Sequence, residues 1–239
     1  MNDLKIYRWS GAAALVSIAL FFTEFPFYLM RGAFPSVTET SKLAEYTFRN
    51  ATNIMICVFF DFLILALLVV FCAGLRDLIR RADPQLECLG TLFFGVSLVY
   101  VTLTLIADSL QAATVIDALT IPADGAIIRT MIESMFLMYG AVALFLMGMM
   151  MAVAGYAAVA SHALPRWSGW VAYVCSLACL AFVPSMFVHH VDPTGFFNPA
   201  GWGPTAIASG FPLAIWMITV GILMIRKGKA VAPLTIAPE

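Results

Sequence analysis

Long apolar runs, separated by short polar stretches, set the rhythm of this chain. A bilayer core about 30 Å thick takes roughly 20 apolar residues in a helix. Runs of that kind cover 11–30, 54–74, 88–107, 136–160, 170–187 and 205–225. None alternates apolar with polar as a half-buried strand does, and lipid leaves no partner for an open strand edge. The pattern predicts one all-α domain over 1–239, a polytopic membrane bundle of six transmembrane helices. The first run is read as a span and not as a cleaved leader, because no small-residue cleavage site follows it.

Composition agrees. Of 239 residues, 62% are hydrophobic and 11% charged, with a mean hydropathy of +0.94. A soluble domain averages about 25% charged residues. The formal net charge of −1 leaves no basic field for nucleic acid, so the expected surroundings are a lipid bilayer. Cation placement then sets direction. Lys5, Arg8, Arg76, Arg80, Arg81, Arg166, Arg226, Lys227 and Lys229 fall on one side, against Arg31, Lys42, Arg49 and Arg129 on the other. The positive-inside rule places both termini in the cytoplasm, as an even number of spans requires.

Against this background the polar exceptions matter. Asp61 lies near the middle of the second run and Glu24 in the outer third of the first. A charge at the membrane centre costs about 2.5–3.5 kcal/mol on insertion scales, so such groups mark sites. Phasing at about 100° per residue aligns the others. Ser10, Ser17, Glu24, Tyr28 and Arg31 share one face, and Asn50, Asn53, Cys57 and Asp61 form a ladder. Ser97, Tyr100, Thr104, Asp108 and Gln111 make a third stripe. These stripes predict a hydrated, acidic cavity facing away from the cytoplasm and floored by Asp61. Its ligand- or proton-binding candidates are Glu24, Asp61, Asp108 and Glu133, with Asn53, Tyr100, His189 and His190 in support. Asp108 and Glu133 read equally well as ordinary headgroup residues.

The loops add detail. Residues 38–48 predict a short surface helix, 108–126 a mildly polar loop, and 189–204 an aromatic, Gly- and Pro-rich segment. That last segment, with Phe196, Phe197 and Trp202, reads either as a lid or as an interfacial anchor. Pro26 and Pro184 each remove a helical hydrogen bond and predict kinks beside Glu24 and below His189. The five cysteines form no disulfide framework, and Cys175 and Cys179 read as small packing residues. Met147, Met149, Met150 and Met151 predict lipid-facing packing. No Walker loop, HExxH or histidine box is present, so neither a cofactor nor a resident metal is expected.

Arg8-Trp9-Ser10-Gly11 recurs as Arg166-Trp167-Ser168-Gly169, and an ungapped alignment of 8–26 with 166–184 gives seven identities. It reads as a parallel repeat or as the same interfacial sequence arising twice. The six-span layout and the segment LPRWSGWVAYV at 164–174 resemble uncharacterised bacterial integral membrane proteins of the domain-of-unknown-function type. That resemblance implies a bacterial inner-membrane location and assigns no catalytic residue.

Three functional readings follow. The leading one is a carrier or receptor for a small or lipidic ligand or a cation. The second is a membrane-embedded acid–base enzyme acting on a lipid or isoprenoid, with His189, His190 and Asp192 as weak metal candidates. The third is an accessory subunit whose stripes meet a homo-oligomeric or membrane partner.

Overall fold

The computed structural model describes residues 3–119, 124–187, 195–198, 207–208 and 210–230. The described residues form helices and connecting turns without a strand. The α-helices are α1 (Asp3–Met30), α2 (Thr40–Arg49), α3 (Ala51–Ala82), α4 (Glu87–Leu119), α5 (Gly125–Leu137), α6 (Ala143–Ala160), α7 (Arg166–Leu180) and α8 (Phe211–Ala230). A wide π turn, Met138–Val142, fuses α5 to α6. Six stretches are long and apolar enough to cross a bilayer: Lys5–Met30, Ala51–Ala82, Pro84–Leu119, Gly125–Ala160, Arg166–Phe187 and Phe211–Gly228.

These stretches close into a ring. α1 packs on α3, α3 on α4, α4 on α6, α6 on α7, α7 on α8, and α8 returns to α1. Gly11 of α1 meets Gly221 and Ile225 of α8, so both termini lie at one end of the bundle. We call this the terminal end and the opposite one the α2 end.

Small residues let the helices approach closely at the terminal end. A Cβ on Gly11 would stand 2.5 Å from the carbonyl oxygen of Gly221, and one on Gly169 would stand 2.8 Å from that of Gly155. Gly74 of α3 accommodates the Ser10 side chain of α1. Lipid offers helices no hydrophobic drive to associate, so close backbone packing of this kind is what holds them. The two segments that look repeated use the same device. Gly11 and Ala14 face Gly221, as Gly169 and Ala172 face Gly155. Nearby, Trp216 is fully buried, edge-on to Phe71 at 5.3 Å and Phe93 at 6.2 Å. Lys227 donates to the Ala163 carbonyl at 2.8 Å and ties α8 to the α6–α7 turn.

A smaller apolar cluster closes the α2 end. Leu43 of α2 joins Val37, Ala107, Ala118, Ile128, Ile132 and Met135. Phe34 lies edge-on to Tyr46 at 5.2 Å and Phe136 at 5.3 Å. The short helix at Thr40–Arg49 occupies nearly the segment the sequence suggests.

Several expectations need correction. The polar loop foreseen over 108–126 is mostly helix, because α4 continues to Leu119; nothing in DSLQAATVIDAL breaks it. The methionine run does not face lipid. Met147, Met150 and Met151 are fully buried and Met149 packs partly against the core, because α6 is covered by both α4 and α7. The two prolines behave differently: α1 runs on through Pro26 to Met30, whereas Pro184 sits in a 3-10 turn, Val183–Phe187, beyond the end of α7.

Candidate functional site

Three carboxyl groups from three helices converge between the large core and the α2-end cluster. Glu24 comes from α1, Asp61 from α3 and Asp108 from α4. The phasing argument holds for α4, whose Ser97, Tyr100, Thr104, Asp108 and Gln111 are all buried. Glu24 is also buried, and its carboxyl reaches the Cys57 thiol one turn from Asp61. The side chains of Asp61 and Asp108 lie within hydrogen-bonding reach of each other, and Glu24 acts electrostatically on Asp61.

The π turn supplies a fourth group. Tyr139 donates its hydroxyl hydrogen bond to Oδ1 of Asp108. Gly140 leaves helical geometry here (φ −81°, ψ −114°), and the widened turn puts Tyr139 opposite α4. Turns of this type recur at functional sites. Tyr100, two turns before Asp108, faces both aspartates. Its backbone carbonyl is occupied, accepting from Thr104 Oγ1 at 2.9 Å.

Among the described residues the cation acting on Glu24 and Asp61 is Arg31. It follows α1 directly, and Gly32 at φ +72° lets the chain turn away in the left-handed region. The guanidinium carbon stands 4.1 Å from the centre of the Tyr28 ring, a cation–π distance. Nη2 donates to the Asn53 carbonyl at 3.4 Å, and the side chain also meets Cys57. Asn50 braces the turn, its Nδ2 donating to the Arg31 carbonyl at 3.3 Å and to that of Tyr46 at 3.0 Å. Burial pushes the Tyr46 phenol above its ordinary value, so it stays protonated beside Arg31.

Three buried polar atoms at this locus have no hydrogen-bond partner: Nε of Arg31, Oδ2 of Asp108 and Oε1 of Gln111. Asp108 is 0% exposed. Buried polar atoms are ordinarily satisfied, so these three can each take a further hydrogen-bond partner, as can Nε of Arg76 toward the terminal end. Asp61 is only half-buried and Tyr28 is 45% exposed, so the cluster reaches the outer surface of the bundle.

The other candidates lie elsewhere. Glu133 of α5 is ion-paired to Arg129 at 2.9 Å, with a side chain 33% exposed. Asn53 contributes its backbone carbonyl. His189, His190, Asp192 and Trp202 lie outside the described residues. Phe196 and Phe197 pack on Phe182 with ring centres 5.7 and 4.9 Å away, so that part of the aromatic loop folds onto the bundle. Cys179 donates to the Ala208 carbonyl and otherwise packs as a core residue. No group of three or more His, Cys, Asp or Glu side chains is arranged for a metal ion among the described residues.

Sequence reasoning missed Tyr139 and did not name Arg31 or Cys57 as site residues, although both lay on predicted stripes. The signal for Tyr139 is a Tyr-Gly pair inside an otherwise aliphatic span. No protein-family model, curated protein or solved structure matches this chain.

Proposed function

We propose that this chain is a bacterial inner-membrane protein, with both termini cytoplasmic, that binds or carries a small or lipidic ligand or a cation at the acidic cluster. The supporting observation is the meeting of Glu24, Asp61 and Asp108, each from a different spanning helix, in a bundle otherwise almost free of charge. Isolated stripes have cheaper uses. Interhelical hydrogen bonds in membranes average only about 0.6 kcal/mol and explain Ser and Thr without any ligand. Three carboxyls beside one guanidinium leave an excess of negative charge, which suits a cation or a proton. The half-buried Asp61 and exposed Tyr28 provide its approach. On this reading the α2 end faces away from the cytoplasm, because the cation-rich ends of α3 and α8 lie at the terminal end.

The test is uptake by proteoliposomes under an imposed pH or cation gradient. Wild-type protein is expected to take up a cationic or proton-coupled solute, and D61N to take up none. Unchanged uptake by D61N ends the reading. Paired aspartates also suit an acid–base enzyme acting on lipid, a reading favoured by the reach of the cluster to the outer surface of the bundle. Turnover of a defined lipid by purified protein, lost in D61N, would select it.

A further inference from the structure

We infer that Asp61 and Asp108 form a single proton-binding pair. The inference deepens the function proposed above by naming the bound cation and the two residues that hold it. It begins with geometry. Two carboxyl groups within hydrogen-bonding reach of each other have only acceptor oxygens when both are ionised, so the contact needs a proton between them. The surroundings make the pair asymmetric. Oδ1 of Asp108 is already occupied by the Tyr139 hydroxyl, while its buried Oδ2 has no hydrogen-bond partner. Asp108 has no exposed surface and Asp61 has some, so Asp61 is the less enclosed member of the pair.

Charge counting assigns the remaining groups. Glu24, Tyr28 and Arg31 face the pair from α1 and the turn after it, Cys57 from α3, Tyr100 from α4 and Tyr139 from the π turn. Glu24 is buried, meets Arg31 and acts on Asp61, so it is a further carboxyl that can hold a proton at this cluster. The aspartates then hold one negative charge when they share a proton and two when they do not. At membrane depth the second charge is the expensive one. On release, the O–H bond of the shared carboxyl breaks, its electron pair stays on the carboxylate oxygen, and the proton passes to water. A metal cation fits less well. Such ions want several oxygen ligands, whereas Tyr139, Cys57 and Arg31 present hydrogens toward the cluster.

Tyr139 is a positioning residue. It holds Asp108 through Oδ1.

The test is infrared difference spectroscopy of the full chain in lipid nanodiscs, comparing acid with alkaline buffer. To remove the carboxyl of buried Glu24, the variants are made on E24Q protein, which is expected to show one protonated-carboxyl band that shifts in deuterated buffer and disappears on alkalinisation. D61N and D108N should each abolish the whole band in that background, while E133Q, on the surface pair with Arg129, should retain it. Y139F should keep the band at a shifted frequency. Persistence of the band in either aspartate variant overturns the pair, as does its absence from E24Q protein. Loss of the band on adding sodium at constant pH overturns the choice of proton. An unshifted band in Y139F removes the role given to Tyr139. The E24Q and sodium experiments need no aspartate variant, so a misfolded D61N does not block the answer. A band that behaves as expected in a protein with no uptake would sink the carrier reading and leave the proton pair standing.

Discussion

The two ends of this bundle solve the problem of joining helices in opposite ways. At the terminal end, Gly11 meets Gly221, Gly155 meets Gly169, and Ser10 rests over Gly74, so backbones touch and these contacts need no ligand. At the α2 end the same helices present Glu24, Asp61, Asp108 and Tyr139 to one another, and some of their polar atoms remain unpartnered. Contact through small residues is satisfied once it forms. Contact through carboxyls depends on what else is bound. The difference separates scaffold from site, and it predicts that stability and chemistry respond to different substitutions.

The sharpest way to break the scaffold without touching the site is W216A. It removes the ring lodged between Phe71 and Phe93 and is expected to cost about 3–5 kcal/mol, read as a fall in the thermal midpoint of detergent-solubilised protein. G11A comes next. Its new methyl would meet the Gly221 carbonyl and force α1 from α8, at about 1–3 kcal/mol in the same assay. Both should leave the acid-sensitive infrared band in place in whatever protein remains folded. Y139F reverses the pattern. Losing one hydrogen bond should cost only about 0.5–1.5 kcal/mol of stability, yet it should alter the band. The smallest effect belongs to R129A. Its partly exposed pair with Glu133 is worth about 0.3–0.5 kcal/mol, and neither the midpoint nor the band should move measurably. If W216A and Y139F gave the same profile, the division between the two ends would fail.

The sequence displays the α4 stripe well, because a straight helix preserves its phase from Ser97 to Gln111. It displays Glu24 and Asp61 for a simpler reason: few carboxylates occur in such apolar surroundings. Tyr139 was not legible, since the π turn breaks the angular bookkeeping between α5 and α6. The methionine run misled for another reason. A helix apolar all round reads alike whether lipid or other helices cover it, and only the ring closure of α4, α6 and α7 decides. Glu133 had the right residue type, yet Arg129 one turn away already satisfies it. The apparent repeat proves informative about packing: its shared Gly and Ala positions are where neighbouring glycines lie closest.

Trp216 also has an optical consequence. Trp9, Trp167 and Trp170 stand 71%, 53% and 66% exposed near the starts of α1 and α7, while Trp216 is enclosed by protein. Bromine atoms placed on acyl chains quench only the indoles they can touch. In W202F protein, emission surviving in brominated vesicles would therefore carry the signature of Trp216, a built-in fluorophore that reports on the interior while Trp9, Trp167 and Trp170 report on the lipid.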